Sequence, residues 1–377
     1  MTSKSKTSLE FTALDTLFFK DGKPFSMGEE TWARGIFPPF PSVIYGMMRS
    51  LWFAGNMGEF SKVRDKEDPT WKDLTLTRYL PAVDGATAFP IPVDLYQEKQ
   101  PEMEGKALRF VPDPLDEAVI HDHPYQQILI PQKREGSQKA VKIVELGGNA
   151  LLSKDEFKNY LAGCQGPFSF FSLDKYCLEE PKIGIGRDPA TRTAKDGQLY
   201  RLAMRRLEGE AGKLSFQIQA EGLEFPEKGL SRLGAEGKAI SYDQCSITEI
   251  ECPLEEGDTT FLLYLATPAI FENGPVPAWF EKKGITVLGC ANGRAAHIGG
   301  WDMKNRCPKP MYKAVPAGTL YFLEKKEGGI TEELIRQLHA GNIYNLAPEE
   351  DDMRKAYMRQ GFGQTYLGKY SPPQNTN

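Results

Sequence analysis

TTFLLYL, residues 259–265, is the stretch on which the fold reading turns. Its continuous run of β-forming residues predicts a buried strand. Downstream, 275–282 reads as a short helix, and 285–291 and 314–323 read as strands. Thr331 then caps a helix whose first turn carries Glu332 and Glu333, placed favourably against the helix dipole, and whose apolar face is Leu334, Ile335 and Leu338. Residues 362–370 make a last strand. The order is β-α-β-β-α-β, the ferredoxin-like arrangement. The N-terminal half begins the same way. LEFTALDTLFF (9–19) reads as a strand ended by a turn at Asp21-Gly22. Ser42 follows as a helix cap, and Val43, Ile44, Met47, Met48, Leu51 and Trp52 recur on one helical face that Arg49 and Ser50 leave. Prolines between 81 and 131 predict an irregular insertion within 56–180.

The predicted class is therefore α+β: two ferredoxin-like (RRM-like, βαββαβ) domains with long insertions and a protruding β-hairpin. The first spans 1–245 and the second 246–377. The hairpin is KIGIGRDPATRTAKDGQLYRLAMRRL (182–207), two alternating runs around a polar tip at 188–197.

Net charge over 377 residues is −5, which read alone argues against a nucleic-acid binder. The average hides a division. Lys182, Arg187, Arg192, Lys195, Arg201, Arg205 and Arg206 oppose only Asp188 and Asp196, so the hairpin carries +5 and the rest −10. Residues 294–313 carry a further +4. The acidic remainder, including Glu349, Glu350 and Asp351, is expected to face solvent or partners.

Other chemistries are poorly supported. No apolar run reaches the ~20 residues of a membrane helix, and the polar N-terminus lacks a signal-peptide core, so a cytoplasmic location is expected. The six cysteines form no CxxC pair. His121-Asp122-His123 sits in a Pro-rich stretch without HExxH, and reads as a solvated loop. There is no Walker A, and no Gly-x-Ser-x-Gly. Gly184-Ile185-Gly186 fails as a dinucleotide fingerprint because Pro189 takes the third glycine's place. No cofactor or metal is expected.

Three loops combine glycine with basic or aromatic residues: RLGAEGKA (232–239), 289–313, and QGFGQTYLG (360–368). Glycine lets a backbone approach a ligand and expose N–H groups to phosphate. Trp301, Phe362 and Tyr366 are candidate stacking faces for bases.

Several stretches in a characteristic order resemble the RAMP superfamily of CRISPR proteins, and more closely the subunit-three family of the type III-B (Cmr) effector complex. They are FTALDTLFFKDGKPFSMGEE (11–30), FPPFPSVIYGMMRS (37–50), FPIPVDL (89–95), KIGIGRDPATRTAKDGQLY (182–200) and RLGAEGKA, then LYLATPAIF (263–271), HIGGWDMKNRCPKPMYKAVPAGTLYF (297–322) and QGFGQTYLG. Residues 56–80 and 340–358 match nothing in it. The resemblance implies two ferredoxin-like domains and a non-catalytic RNA-binding subunit. Such a subunit grips the 5′ repeat-derived tag of CRISPR RNA in antiviral defence. It bridges the large polymerase-like subunit to the backbone RAMP subunits and meets target RNA only indirectly; no membrane is involved.

On this reading Arg187, Arg192, Lys195 and Arg201 contact phosphates. Gly234, Gly237 and Lys238 line the groove from the first domain, and His297, Trp301 and Lys309 line it from the second. Ser42, Thr193 and His297 are suited to reading splayed bases, and Arg49 is a further candidate. Arg205 and Arg206 read as a solvated stem. The competing enzyme reading is a metal-independent, CRISPR-RNA-processing endoribonuclease with His297 as general acid/base. A plain cytoplasmic metabolic enzyme is a third.

Overall fold

The computed structural model describes residues 5–20, 32–33, 35–63, 67–114, 125, 127–132, 142–302, 307–348 and 352–372, with backbone alone at 114, 197, 301, 302 and 352. The chain is α+β, rich in strands and poor in helices. It opens with β1 (Lys6–Ala13), α1 (Pro41–Gly55), β2 (Thr75–Val83) and β3 (Ala86–Pro90). Next come β4 (Ala150–Ser153), α2 (Lys154–Leu161), β5 (Phe168–Ser172), β6 (Leu178–Arg187) and β7 (Ala194–Arg206). They lead to β8 (Gly212–Glu221), β9 (Lys228–Leu233) and β10 (Lys238–Gln244). The C-terminal part adds β11 (Thr260–Leu265), α3 (Trp279–Lys282), β12 (Thr286–Ala291), β13 (Leu320–Glu324), α4 (Glu332–Leu338) and β14 (Gln364–Lys369). No described helix is long and apolar enough to cross a membrane.

Two compact units emerge, and neither is continuous in sequence. Unit 1 is Met1–Gly85, Asp174–Ser246 and His297–Lys313; unit 2 is Ala86–Leu173, Ile247–Ala296 and Ala314–Asn377. This differs from a division at 245/246. Residues 86–173 share a core with the C-terminal part, because Phe89 stacks on Phe157 at 4.1 Å and Phe157 meets Tyr264 at 4.9 Å. The Tyr264 hydroxyl also donates to the Pro90 carbonyl at 2.6 Å. The segment carrying His297, Trp301 and Lys309 falls in unit 1.

Unit 1 is built on an antiparallel sheet in the order β9-β10-β1-β8-β2. Alternation in β1 puts Leu9 and Phe11 opposite Ile218 and Phe216, all buried, while Ser8 and Glu10 share the other face with Gln219 and Gln217. Gln217 Nε2 donates to Glu10 Oε2 at 3.1 Å. Helix α1 starts at Pro41, where the missing N–H costs nothing, and buries Ile44, Tyr45, Met47, Met48 and Leu51. Ser42 lies inside its first turn, half-buried. The cap position belongs to Phe40, which makes no side-chain cap bond, so the expected Ser42 cap is corrected.

Three further expectations change here. Strand β1 stops at Ala13 rather than 19, because Asp15 Oδ1 accepts from Thr16 N at 2.7 Å and turns the chain; Leu17 returns only as an isolated bridge to Arg205. The region expected to be irregular contains the nine-residue strand β2, in register with β8 through Pro81, which sits opposite Phe216. Proline removes one donor without breaking a strand whose pairing does not need that donor. Unit 1 also lacks, among the described residues, a second α-helix where the ferredoxin-like order requires one, the short helix Pro69–Lys72 lying before β2. Between β8 and β10 run only β9 and a single 3₁₀ turn, Ala235–Gly237, because Gly222, Pro226, Gly229 and Gly234 punctuate the stretch. The turn at Asp21-Gly22, the triplet His121-Asp122-His123 and the acidic run Glu349–Asp351 lie outside the described residues.

In unit 2 the expected order of elements is present. β11 lies between β13 and β14, with β12 outside β13, all antiparallel. Thr331 Oγ1 caps α4 by accepting from Leu334 N at 3.2 Å. The loop at 360–368 is a core element: Phe362 and Tyr366 are buried, and Tyr366 stands edge-on to Phe89 and Phe157. These two rings are therefore not stacking platforms for bases. Gly363, at φ +72, is there because an added Cβ would meet the Tyr344 ring at 2.8 Å.

Candidate nucleic-acid interface

The hairpin of unit 1 forms as the alternation predicts. β6 and β7 pair antiparallel from Leu178↔Arg206 out to Arg187↔Ala194, with one irregularity between Ile185 and Arg187. Glycine serves close approach in β6, since a Cβ at Gly184 would lie 2.1 Å from the Tyr200 ring.

The base of the hairpin is anchored. Leu17 and Arg205 exchange backbone hydrogen bonds of 2.8 and 2.7 Å. Phe18, Leu202 and Met204 form a buried cluster with Ala33, Tyr200 and Ala235 packed around it. The RLGAEGKA loop closes on the same place: Ala235 N donates to Phe18 O at 2.8 Å. A Cβ at Gly234 would sit 2.6 Å from that oxygen, so this glycine serves packing rather than a ligand. Gly237 is exposed, and a Cβ there would meet nothing closer than Arg232 Cδ at 3.4 Å.

Acids near the base neutralise three of the seven hairpin cations. Lys182 pairs with Glu236 at 2.5 Å, Arg205 with Glu179 at 3.1 Å, and Arg206 with Glu180. The hydrogen bond from Arg206 lowers the Glu180 carboxyl, and the one to Glu236 raises the Lys182 ammonium. Arg205 and Arg206 thus form a stem that is ion-paired and still partly exposed to solvent. Arg187, Arg192, Lys195 and Arg201 are exposed and make no ion pair among the described residues.

The tip at 188–193 is an ordered turn. Asp188 Oδ1 accepts from Ala190 N at 2.8 Å and from Thr191 N at 3.0 Å, and these bonds hold its carboxyl below the usual range. Arg192 takes a left-handed φ of 59° and donates its N–H to Asp188 O at 2.8 Å. Its own carbonyl accepts from Arg187 Nε at 3.1 Å. Thr193 and Thr191 share a hydroxyl contact of 2.8 Å. Two guanidinium groups and two hydroxyls therefore stand on or beside a short, pre-ordered turn, with Lys195 following in β7.

One feature escaped the sequence reading. Cross-strand register puts Ile183 opposite Arg201, Ile185 opposite Leu199, and Trp32 opposite Arg201 in a two-residue parallel strand. The four apolar side chains lie on one face and are exposed, Ile183 by 60% and Trp32 by 44%. Exposed apolar groups beside an unpaired guanidinium suit an unstacked base. The signal was present in the alternation of Ile183 and Ile185 with glycine, but period alone does not say which face is covered.

The other candidates scatter. Arg49 is occupied: Nη2 meets Asp68 Oδ2 at 2.6 Å, Nε donates to Thr70 Oγ1 at 2.7 Å, and the guanidinium lies 4.9 Å over the Trp71 ring. Lys238 is paired with Asp15 at 2.7 Å, which lowers the Asp15 carboxyl. His297 and Lys309 are exposed in unit 1, where Lys309 N donates to Gly300 O at 2.9 Å. The backbone of Trp301 pairs with Pro308, while its side chain, Lys304 and Arg306 lie outside the described residues. No cluster of three or more metal-ligating side chains occurs among the described residues.

A family described as CRISPR-associated protein (Cas_Cmr3) matches residues 9–370. The chain belongs to that family. It is a type III-B Cmr CRISPR protein. Among solved structures, the chain is similar to a subunit of type III-B Cmr-beta bound to cognate target RNA and AMPPnP, at 15% identity and TM-score 0.54 over 96% of this chain and 98% of the other. A second Cmr-beta structure, bound to cognate target RNA, gives 14% identity and TM-score 0.51 over 94% and 95%. At these identities the likeness is one of fold. No curated protein matches the chain in sequence.

Proposed function

We propose that this Cas_Cmr3-family chain is the non-catalytic RNA-binding subunit of its effector, anchoring the 5′ repeat-derived tag of CRISPR RNA. In this role it bridges the large polymerase-like subunit to the backbone RAMP subunits in the cytoplasm. Each half is a diverged ferredoxin-like domain, the first without its second helix. The observation that carries the reading is the partition of charge on the hairpin: acids quench the base, and four cations at and near the ordered tip stay available for phosphates. Phosphate contacts supply affinity, and the apolar face with Arg201 supplies a surface for bases.

The test is fluorescence anisotropy of the full chain with RNA carrying the repeat-derived tag and with the same RNA lacking it. Tighter binding of the tagged RNA, lost in Arg187→Ala/Arg192→Ala, is the expected result. Equal affinity for both RNAs overturns tag anchoring. Metal-independent cleavage of repeat RNA that His297→Ala abolishes overturns the non-catalytic assignment.

A further inference from the structure

Unit 2 contains a polar cavity far in sequence from the hairpin. Its volume is 180 Å³, and it is bordered by Arg109, Gln165, Lys369 and Ser371 with Phe322 and Tyr370. Below it lies a buried network. Asp94 is inaccessible and accepts from Arg109 Nε at 2.9 Å and from the Tyr160 hydroxyl at 2.8 Å, while the Arg109 guanidinium lies 4.4 Å over the Tyr160 ring. Burying an ion pair is expensive unless its remaining donors are satisfied. Arg109 is only 5% exposed, yet beyond Asp94 and Tyr160 its guanidinium meets no polar partner among the described residues. A guanidinium that spends its Nε donor on Asp94 and belongs to a residue lining a cavity is, among the described residues, a fork with donors to spare.

The surroundings favour an anion there. Lys369 adds a second cation, Ser371 a hydroxyl and Gln165 an amide, and among the described residues no acidic side chain borders the cavity. The neighbouring end of α2 is muted, because the carbonyls of Lys158, Asn159 and Tyr160 accept from Ala162, Cys164 and Gly163. Size narrows the ligand. Drug-sized molecules occupy roughly 300–1,000 Å³, so this cavity holds a single charged group and not a whole nucleotide. Donors from separate strands and loops suit a tetrahedral oxyanion.

We propose that this cavity is a phosphoryl-anion site, in which Arg109 and Lys369 clamp either a free phosphate or the terminal phosphate of an RNA. The proposal is independent of the hairpin reading. The test is isothermal titration of the full chain with inorganic phosphate at constant ionic strength. Saturable uptake is expected in the wild type and in Lys369→Arg. Lys369→Glu, at an exposed position that leaves folding intact, is expected to weaken it about tenfold or more. Competition by a 5′-phosphorylated dinucleotide assigns the site to an RNA end; competition by sulfate without the dinucleotide assigns it to a free ion. Absence of saturable phosphate uptake in the wild type, or equal uptake in Lys369→Glu, overturns the proposal.

Discussion

The hairpin of 178–206 and the loop of 360–368 carry similar sequence signals, glycine mixed with aromatic or basic residues, and the fold uses them in opposite ways. The hairpin leaves Arg187, Arg192, Lys195 and Arg201 exposed and, among the described residues, without an ion pair, whereas the loop buries Phe362 and Tyr366 in the core of unit 2. A glycine next to an aromatic ring marks close packing as readily as it marks a ligand. What separates the two regions is where the charges find partners, which depends on residues distant in sequence.

The largest expected effect tests the buried side. Phe362→Ala is expected to destabilise the protein by about 3–5 kcal/mol, read by urea unfolding, as for other buried aromatic truncations. Wild-type stability would return this ring to the surface and erase the contrast. Next, Arg187→Ala/Arg192→Ala is expected to weaken tagged-RNA binding by about tenfold to a hundredfold. It should also flatten the salt dependence by roughly 0.7 in log–log slope for each phosphate no longer neutralised, with the unfolding midpoint unchanged. An unaltered slope would place the tip against solvent or protein.

Smaller effects sharpen the line between base and tip. Arg205→Ala is expected to change RNA affinity little and stability by about 1 kcal/mol or less, since its charge is already spent on Glu179 in a half-exposed pair. A weakening equal to that of the tip variant would mean that the pair opens for RNA. The smallest effect concerns pH. The Asp188 carboxyl is lowered in the folded tip by N–H groups of Thr191 and Ala190, so its ordering is complete above the ordinary value of 3.8 and is lost as pH falls through the lower folded value. Amide shifts of Ala190 and Thr191 followed by NMR check this; tip resonances that stay fixed through that range would remove Asp188 as organiser.

Much of unit 2's sheet was legible because its strands and the Thr331-capped helix announce themselves by local period and capping. Unit 1 was harder. Pro81 looked like a breaker, yet β2 runs through it opposite Phe216. The missing second helix could not be inferred from the opening strand and helix, since only the glycines of 222–237 exclude it. The four unpaired hairpin cations were named from sequence, but the pairing of Lys182 with Glu236 was not, because the partner arrives from another loop. Arg49 failed for the same reason: Asp68 and Thr70 claim it across a separate turn. The exposed face of Ile183, Ile185, Leu199 and Trp32 depends on register and on what covers each side, which alternation alone does not encode.

The interleaving of the two units sets a timetable for synthesis. β1 leaves the ribosome before residues 86–173, but its sheet partners β8 and β10 come after all of them have emerged, and unit 1 also draws on His297–Lys313. Neither unit is a segment that can fold while the other is still being made. The nascent chain must carry apolar edges such as Leu9 and Phe11 uncovered until most of it is complete, the condition in which long-range β pairing is slow and aggregation competes. Production of this protein will therefore respond to anything that shields the growing chain, and fragments cut at a single point will not stand in for either half.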